Sequence, residues 1–206
     1  MRHRRAGYRL GRTSSHRAST LRNLAVSLFQ HGQIMTTIPR AKALQPMVER
    51  MITAVKHAMA KADAAGDPKK AAAAMLHARR LLESRLGGDK RAFDWLYSPK
   101  KPTEQEAALL AEMRERAEAF FPVPASSEVE RNRYGEVREA PRITKHIISN
   151  VVPKFMDRQG GYTRIIKLGR HRLGDGGELC IIQFVGAEEG PEISGNPSTR
   201  KKVSAR

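Results

Sequence analysis

The sequence predicts an α+β fold in which helices pack on a small antiparallel sheet, with a basic extended N-terminal arm and an inserted helical hairpin. Apolar residues recur at helical spacing through 21–59 and again through 143–155, and two apolar runs joined by a Gly-rich turn follow at 162–185. The first 48 residues contain no aspartate or glutamate. They open with MRHRRAGYRLGRTSSHR, where Arg2, Arg4, Arg5, Arg9, Arg12 and Arg17 crowd around His3 and His16. Guanidinium groups are planar, permanently charged and able to grip phosphate oxygens in pairs. An arginine-only cluster therefore points to nucleic acid more than to solubility, which lysine would serve.

Taken in order, Leu21, Leu24, Ala25 and Leu28 define a first helix over about 15–31, with Ser14 or Ser15 as N-cap and Gly32 as its stop. Gln33 to Thr37, rich in Ile and Thr, suits a strand. Thr37 and Pro39 mark the start of a second helix with the stripe Ala41, Leu44, Val48, Met51, Ile52, Val55 and Met59. Pro46 lies inside that stripe and costs a backbone hydrogen bond, which predicts a later start or a kink. From about Lys61 to Ala140 the chain turns alanine-rich and then acidic. Asp67-Pro68 reads as N-cap and first turn of a helix to about Leu86, closed by Gly87-Gly88, and Thr103 with Glu106 makes a capping box for another to about Phe120. Phe93, Trp95, Leu96 and Tyr97 are placed to join these two as a small hairpin with its own apolar seam.

Past Arg142, the stripe Ile143, Ile147, Val151 and Phe155 is helical, and Pro153 should end the regular helix near 150–152. Tyr162–Leu168 and Glu178–Val185 then form an antiparallel hairpin across Gly174-Asp175-Gly176-Gly177. Because LCIIQFV at 179–185 is apolar on both faces, its strand should be central or covered by helices. Residues 187–206 are Gly, Pro, Ser and charge, and read as a disordered tail. The resulting organisation is one domain over 1–186, interrupted by a helical insertion at about 62–140.

A formal net charge of +17 over 206 residues marks a partner of polyanions, and 40% hydrophobic content suffices for a folded core. Positive charge returns from Arg142 to Arg172, where Asp157 is the only acid. A single cysteine, Cys180, excludes an internal disulfide and fits a reducing compartment. No apolar run approaches the roughly 18 to 20 residues of a membrane span, and no hydrophobic stretch follows the basic N-terminus as a secretory signal requires. A soluble, intracellular protein is expected. An acid-poor N-terminus rich in Arg and Ser also fits a mitochondrial transit peptide, but this one runs straight into elements that read as core.

No catalytic constellation emerges. GGDK, GDGG and GGYT are isolated glycine turns without the spacing of a P-loop or a dinucleotide fingerprint. Cys180 sits among Leu179, Ile181 and Ile182, the setting of a buried, inert thiol. His57, His77, His146 and His171 are dispersed, and His3 and His16 have no metal-site spacing. In Glu112, Arg114, Glu115, Arg116 and Glu118 the charges alternate as on a solvated helix face.

At this point the residues resemble a known family. MRHRRAGYRLGRTSSHR, RNLAVSL, TTIPRAKAL and the distant GGYTRIIKLG are similar, in that order, to the bacterial large-subunit ribosomal protein seventeen family. The resemblance covers about 1–61 and 142–186; the usual family member is expected to join the second helix to the later one with far fewer residues. It implies a compact α+β domain that binds large-subunit ribosomal RNA, lies at the subunit surface near the polypeptide exit and contacts neighbouring large-subunit ribosomal proteins. It also implies no catalytic activity, no cofactor or metal, no membrane and no small-molecule substrate, in a cytoplasmic, ribosome-bound protein. By position, the implied RNA-binding residues are Arg2, His3, Arg4, Arg5, Arg9, Arg12, Ser14, Ser15, His16, Arg17 and Arg22 in the arm and first helix. Arg40 and Lys42 follow at the second helix, then Arg158, Gly160, Gly161, Tyr162, Thr163 and Arg164 at the hairpin.

Physical reasoning agrees with that implication. An arm with Gly7, Gly11 and scattered arginines can mould itself to folded RNA, and neutralising about six phosphates gives a log-log salt slope of roughly −4 to −5. Ser14 and Ser15 suit a cap, though the same helix N-terminus can seat a phosphate, and Tyr162 suits either a base stack or core packing. The competing reading is a sequence-nonspecific DNA-binding nucleoid protein. Two basic regions far apart in sequence favour folded RNA, since duplex readers more often carry one stripe and one recognition helix. The acidic middle segment should face away from RNA, toward neighbouring proteins or solvent.

Overall fold

The computed structural model describes residues 7–97, 103–118, 120–123, 130–131, 133–134 and 137–186; Arg2, His3, Arg4 and Arg5 of the arm and the tail 187–206 lie outside these residues. Helix α1 (Ser14–His31) buries Ala25, Val26, Leu28 and Phe29, and it stops where Gly32, at φ 71°, donates its N–H to the Leu28 carbonyl at 2.9 Å. A side chain at Gly32 is excluded for a second reason, since a Cβ there would lie 2.5 Å from Cγ of Phe120. The N-cap is Thr13, not Ser14 or Ser15, and no side chain caps the first turn. The serines lie one position too late because the first helical bond already runs from the Arg17 N–H to the Thr13 carbonyl, at 2.9 Å.

Strand β1 (Gln33–Thr37) feeds directly into α2 (Ile38–Ala64), which runs through Pro46. The later start expected from that proline is therefore corrected. Leu44, Val48, Met51, Ile52 and Val55 are fully buried, and at about 1.5 to 3 kcal/mol per side chain their burial outweighs the single hydrogen bond that proline forfeits. In α3 (Pro68–Leu86) the Lys69 N–H donates to Oδ1 of the Asp67 cap at 3.1 Å, and Gly87 closes the helix in the left-handed region. A short α4 (Asp94–Tyr97) precedes α5 (Glu104–Glu118). The α5 capping box forms as its spacing predicts: the Thr103 N–H donates to Glu106 at 2.9 Å, and the Glu106 N–H to the Thr103 hydroxyl at 3.4 Å.

A small antiparallel pair, β2 (Glu130–Arg131) with β3 (Val137–Glu139), follows without a clear signal in the sequence. Helix α6 (Ile143–His146) then widens into a π turn over Ile147–Val151 and tightens into a 3₁₀ turn over Val152–Phe155. The regular helix thus ends well before Pro153. Ile143, Ile147, Val151 and Phe155 are spaced by four, and in a 3.6-residue helix each step drifts by about 40°. The widened turn absorbs that drift and keeps all four buried. Strands β4 (Thr163–His171) and β5 (Glu178–Phe184) complete a three-stranded sheet in the order β1-β5-β4, antiparallel throughout, with Ile182 of the central strand opposite both Ile34 and Ile165. The two-faced apolar run is central, as its composition requires.

Among the described residues the middle segment has no separate seam. Ala78, Leu82, Leu86, Phe93, Phe120 and Phe121 join one buried cluster with Leu28, Met51, Ile147 and Phe184. His146 sits where these parts meet. Its Nε2 donates to the Phe29 carbonyl at 3.0 Å, and its Nδ1 accepts from the Asn150 amide at 3.0 Å. The rings of Phe93 and Phe121 meet it edge to face, with centroids at 4.9 and 5.1 Å. Burial, with a smaller push from the Lys154 charge, lowers its pKa from 6.5 to about 4 against the bond to Phe29. Lys154 in turn donates to the Phe120 carbonyl and lies 5.2 Å above the Phe121 ring.

Two outcomes follow from this arrangement. Leu82→Ala should cost about 2 to 5 kcal/mol, in a single urea transition reported alike by helix content and Trp95 fluorescence; a separate early transition would mean an independent middle segment. His146 binds a proton in the unfolded chain below about pH 6.5 but resists it in the folded chain down to about 4. Its contribution is therefore fully present above pH 6.5 and lost as pH falls through that window, by about 3 kcal/mol in all. Urea midpoints measured across the window should fall more steeply for the native chain than for His146→Gln.

Candidate nucleic-acid interface

The described part of the arm begins at Gly7 and is not simply extended. Leu10 at φ 59° and Gly11 at φ 61° turn it sharply, and the Arg12 N–H reaches back to the Arg9 carbonyl at 3.3 Å. Nε of Arg12 then donates to Nε2 of His16 at 3.2 Å, so the histidine orients the arginine. This brings Arg12 toward the start of α2, where Arg40 lies, and toward the tip of the β4–β5 hairpin. At that tip Arg172 donates to both carboxylate oxygens of Asp175, through Nε at 2.8 Å and through Nη2 of the guanidinium. The Gly177 N–H donates to Asp175 as well, at 3.2 Å, and these bonds hold its carboxyl well below the usual carboxylate range.

Arg40 registers the crowding. Partial burial and then the charges of Arg12 and Arg172 push its pKa down, with Asp175 opposing them. Guanidinium groups from three distant parts of the chain therefore crowd at Arg40, with Asp175, bonded to Arg172, as the opposing charge, and a polyanion would relieve the excess. Arg172 was not singled out by the sequence beyond its place at the end of the second basic stretch. What recruits it is the hairpin length and the Asp175 turn.

The other sequence-assigned positions separate into surface and interior. Arg9, Ser14, Ser15, His16, Lys42, Arg158, Gly160 and Gly161 are exposed, and Arg17 and Arg22 are half-buried on α1. Arg22 lies along the end of α3, its Cδ 3.2 Å from where a Gly87 Cβ would stand. Tyr162 and Thr163 are corrected by the structure. The Tyr162 ring is 1% exposed, packed on Phe155 at 5.3 Å between centroids with the Lys56 ammonium 5.4 Å above it, so no face is free for a base. The Thr163 hydroxyl is buried and donates to Glu49 at 2.9 Å. Arg164 faces Gln183 across β4 and β5, whose side-chain oxygen, with the amide turned toward it, accepts from the guanidinium.

Acidic charge lies elsewhere. Glu104, Glu106, Glu112, Glu115 and Glu118 are exposed on α5. That helix turns Met113 and Ala117 toward His31, Ile34 and Ile181, at the C-terminal end of α1. The 18-residue α1 is about 27 Å long, so it separates the arginine cluster from the acidic face by more than two Debye lengths of about 10 Å at moderate salt. Cys180 is buried, and burial pushes its thiol pKa up, the opposite of a nucleophile. Among the described residues no three His, Cys, Asp or Glu side chains are grouped to hold a metal, and no helix is long and apolar enough to cross a membrane.

The sequence matches the model of the family described as Ribosomal protein L17 over residues 20–185, a span that encloses the middle segment. The large ribosomal subunit protein bL17 of Nautilia profundicola is 34% identical over 186 residues, covering 90% of this chain and 99% of its own. That of Opitutus terrae is 34% identical over 189 residues, covering 92% and 75%. That of Thermus thermophilus is 29% identical over 185 residues, covering 90% and 99%.

Tyr162 should behave as a core residue. Tyr162→Ala should cost about 3 to 5 kcal/mol in chemical denaturation, whereas Tyr162→Phe should leave the denaturation midpoint within roughly 0.5 kcal/mol of the native chain; equal losses for both would point to a role for the hydroxyl.

Proposed function

The chain belongs to the ribosomal protein L17 family, and from that premise we propose that it is a structural constituent of the large ribosomal subunit that binds large-subunit ribosomal RNA. It is a structural protein, not an enzyme. The observation that carries RNA binding is the convergence of Arg12, Arg40 and Arg172 on a surface with one carboxylate among them. Such a cluster opposes folding of the free chain and is neutralised by phosphates, with release of counterions from the RNA.

Contacts distributed over the arm, the start of α2 and the hairpin tip fit a ligand that surrounds the chain on several sides. This favours folded RNA over a DNA duplex, which is usually met by one element in one groove. Arg9, His16, Arg17, Arg22 and Lys42 would extend the same surface, and Arg158, Gly160 and Gly161 would offer backbone and charge beside the hairpin. The position near the polypeptide exit and the cytoplasmic, ribosome-bound setting follow from the family resemblance. Residues 62–140 are read as an insertion within a single 1–186 domain. The exposed carboxylates of α5 would face neighbouring large-subunit proteins or solvent, because they would repel phosphates.

In a salt-washed lysate sedimented through sucrose, the protein should travel with large subunits; recovery with the nucleoid would overturn the proposal. Arg12→Ala with Arg40→Ala should lower the log-log salt slope for binding ribosomal RNA by about 1.4 to 1.8, at 0.7 to 0.9 per lost phosphate contact. A parallel shift of affinity at unchanged slope would place these arginines outside the phosphate contacts.

A further inference from the structure

A groove of about 520 Å³ runs between α1, α2 and α3 and is lined by Arg17 and Arg22 from α1, Arg50 from α2 and Arg85 from α3. Its size lies within the roughly 300 to 1,000 Å³ of ligand-holding clefts. Leu21, Pro46 and Met47 supply an apolar floor, and no acidic residue lines the groove.

Two other helical arginines, Arg79 on α3 and Arg114 on α5, are neutralised locally. Arg79 pairs with Glu83 at 3.1 Å and Asp89 at 3.4 Å, and Arg114 pairs with Glu118 at 2.8 Å. Among the described residues none of the four groove arginines has an ion pair or a side-chain hydrogen bond. The nearest acid in sequence, Glu49, is committed elsewhere, accepting from the Thr163 hydroxyl at 2.9 Å and from Gln45 at 3.4 Å. Four like charges held in one trough with no counter-charge are costly unless an anion enters.

The start of α1 adds to the same field. Ser14 stands on the groove wall, the first turn carries no acid, and Thr13 gives no side-chain cap, so N–H groups of that turn are free to donate. Guanidinium forks above an apolar floor suit a phosphate-sugar strand, whose anionic oxygens meet the forks while the sugar covers the floor.

We propose that the groove is a second phosphate-binding site, which holds one strand of the ribosomal RNA backbone and to which the middle segment contributes Arg85. The inference rests on the RNA-binding function proposed above and changes one part of it. The middle segment divides in function: the C-terminal half of α3 faces RNA, and only α5 turns away. Pro46, unexplained by helix formation, belongs to the floor of this site.

The test is filter binding of the full chain to full-length large-subunit ribosomal RNA transcribed in vitro, across a salt series, with thermal melts to confirm folding. Arg50→Ala with Arg85→Ala should weaken binding about 10-fold or more at low salt and lower the log-log slope by about 1.4 to 1.8. Arg50→Lys with Arg85→Lys should restore most of the slope, because lysine keeps the charge while losing the fork. Lys69→Ala with Lys70→Ala, at the other end of α3, should match the native chain. The groove is refuted if the Arg50/Arg85 alanine pair matches the native chain while the Arg12/Arg40 pair loses slope, an outcome that leaves the RNA-binding function standing. It is refuted together with that function if the native chain shows no salt-dependent binding. Failure of the lysine pair to recover slope would also overturn a charge-based contact.

Discussion

Burial favours the neutral form of the His146 imidazole, and three parts of the core meet around it. It donates to a helix-terminal carbonyl on α1, accepts from Asn150 one turn along its own segment, and is walled by Phe93 and Phe121 from the middle of the chain. A charged imidazole would carry a second N–H toward the Asn150 amide and would lie between aromatic rings without water. The same position therefore orders three separate parts of the sequence and ties their packing to one protonation state. Phe184 extends the arrangement into the sheet, meeting Phe29, Phe121 and Phe155 within 6.0 Å between centroids.

Charge is distributed as strictly as the apolar residues. Carboxylates are concentrated on α5, at one end of α1, and where they meet arginines on α3, α5 and the hairpin tip they form local pairs. Exposed pairs of this kind contribute little to stability, but they mark which arginines are already satisfied. The arginines at the other end of α1 are left in excess, around Arg40 and along the groove between three helices. The fold tolerates this because the buried cluster on the inner sides of the same helices is large and continuous. The buried cluster and the arginine-lined groove thus lie on opposite faces of α1, α2 and α3.

Local chemistry made most elements legible in the sequence. Asp67, the Thr103–Glu106 box and the left-handed stops at Gly32 and Gly87 each act within a few residues, so as helix signals they are readable without the rest of the fold. The two-faced apolar run at 179–185 identified the central strand for a similar reason, since no half-exposed strand could carry it. Where the reading failed, a local rule met a distant contact. Pro46 was expected to delay α2 or to kink it; the delay does not occur, because the buried stripe beneath holds the helix together from Ile38 onward. The strict four-residue spacing of Ile143, Ile147, Val151 and Phe155 looked helical, although keeping all four on one face needs a widened turn.

The sequence by itself determined the family, the acid-free arm, the order of the long helices and of the three strands of the main sheet, and the segregation of acids into the middle of the chain. The family follows from the resemblance of motifs along the chain, and the rest from composition, caps and short-range periodicity. Only the tertiary structure decided that the middle segment shares one core with the rest and that Tyr162 is interior. It also decided that Arg172 joins Arg12 and Arg40, and that Arg85 joins the arginines of α1. These outcomes depend on contacts between residues far apart in the chain, such as the 117 positions between Phe29 and His146 or the 114 between Glu49 and Thr163. Spacing along the sequence carries no information about such pairs, because packing and register choose them after the elements have formed.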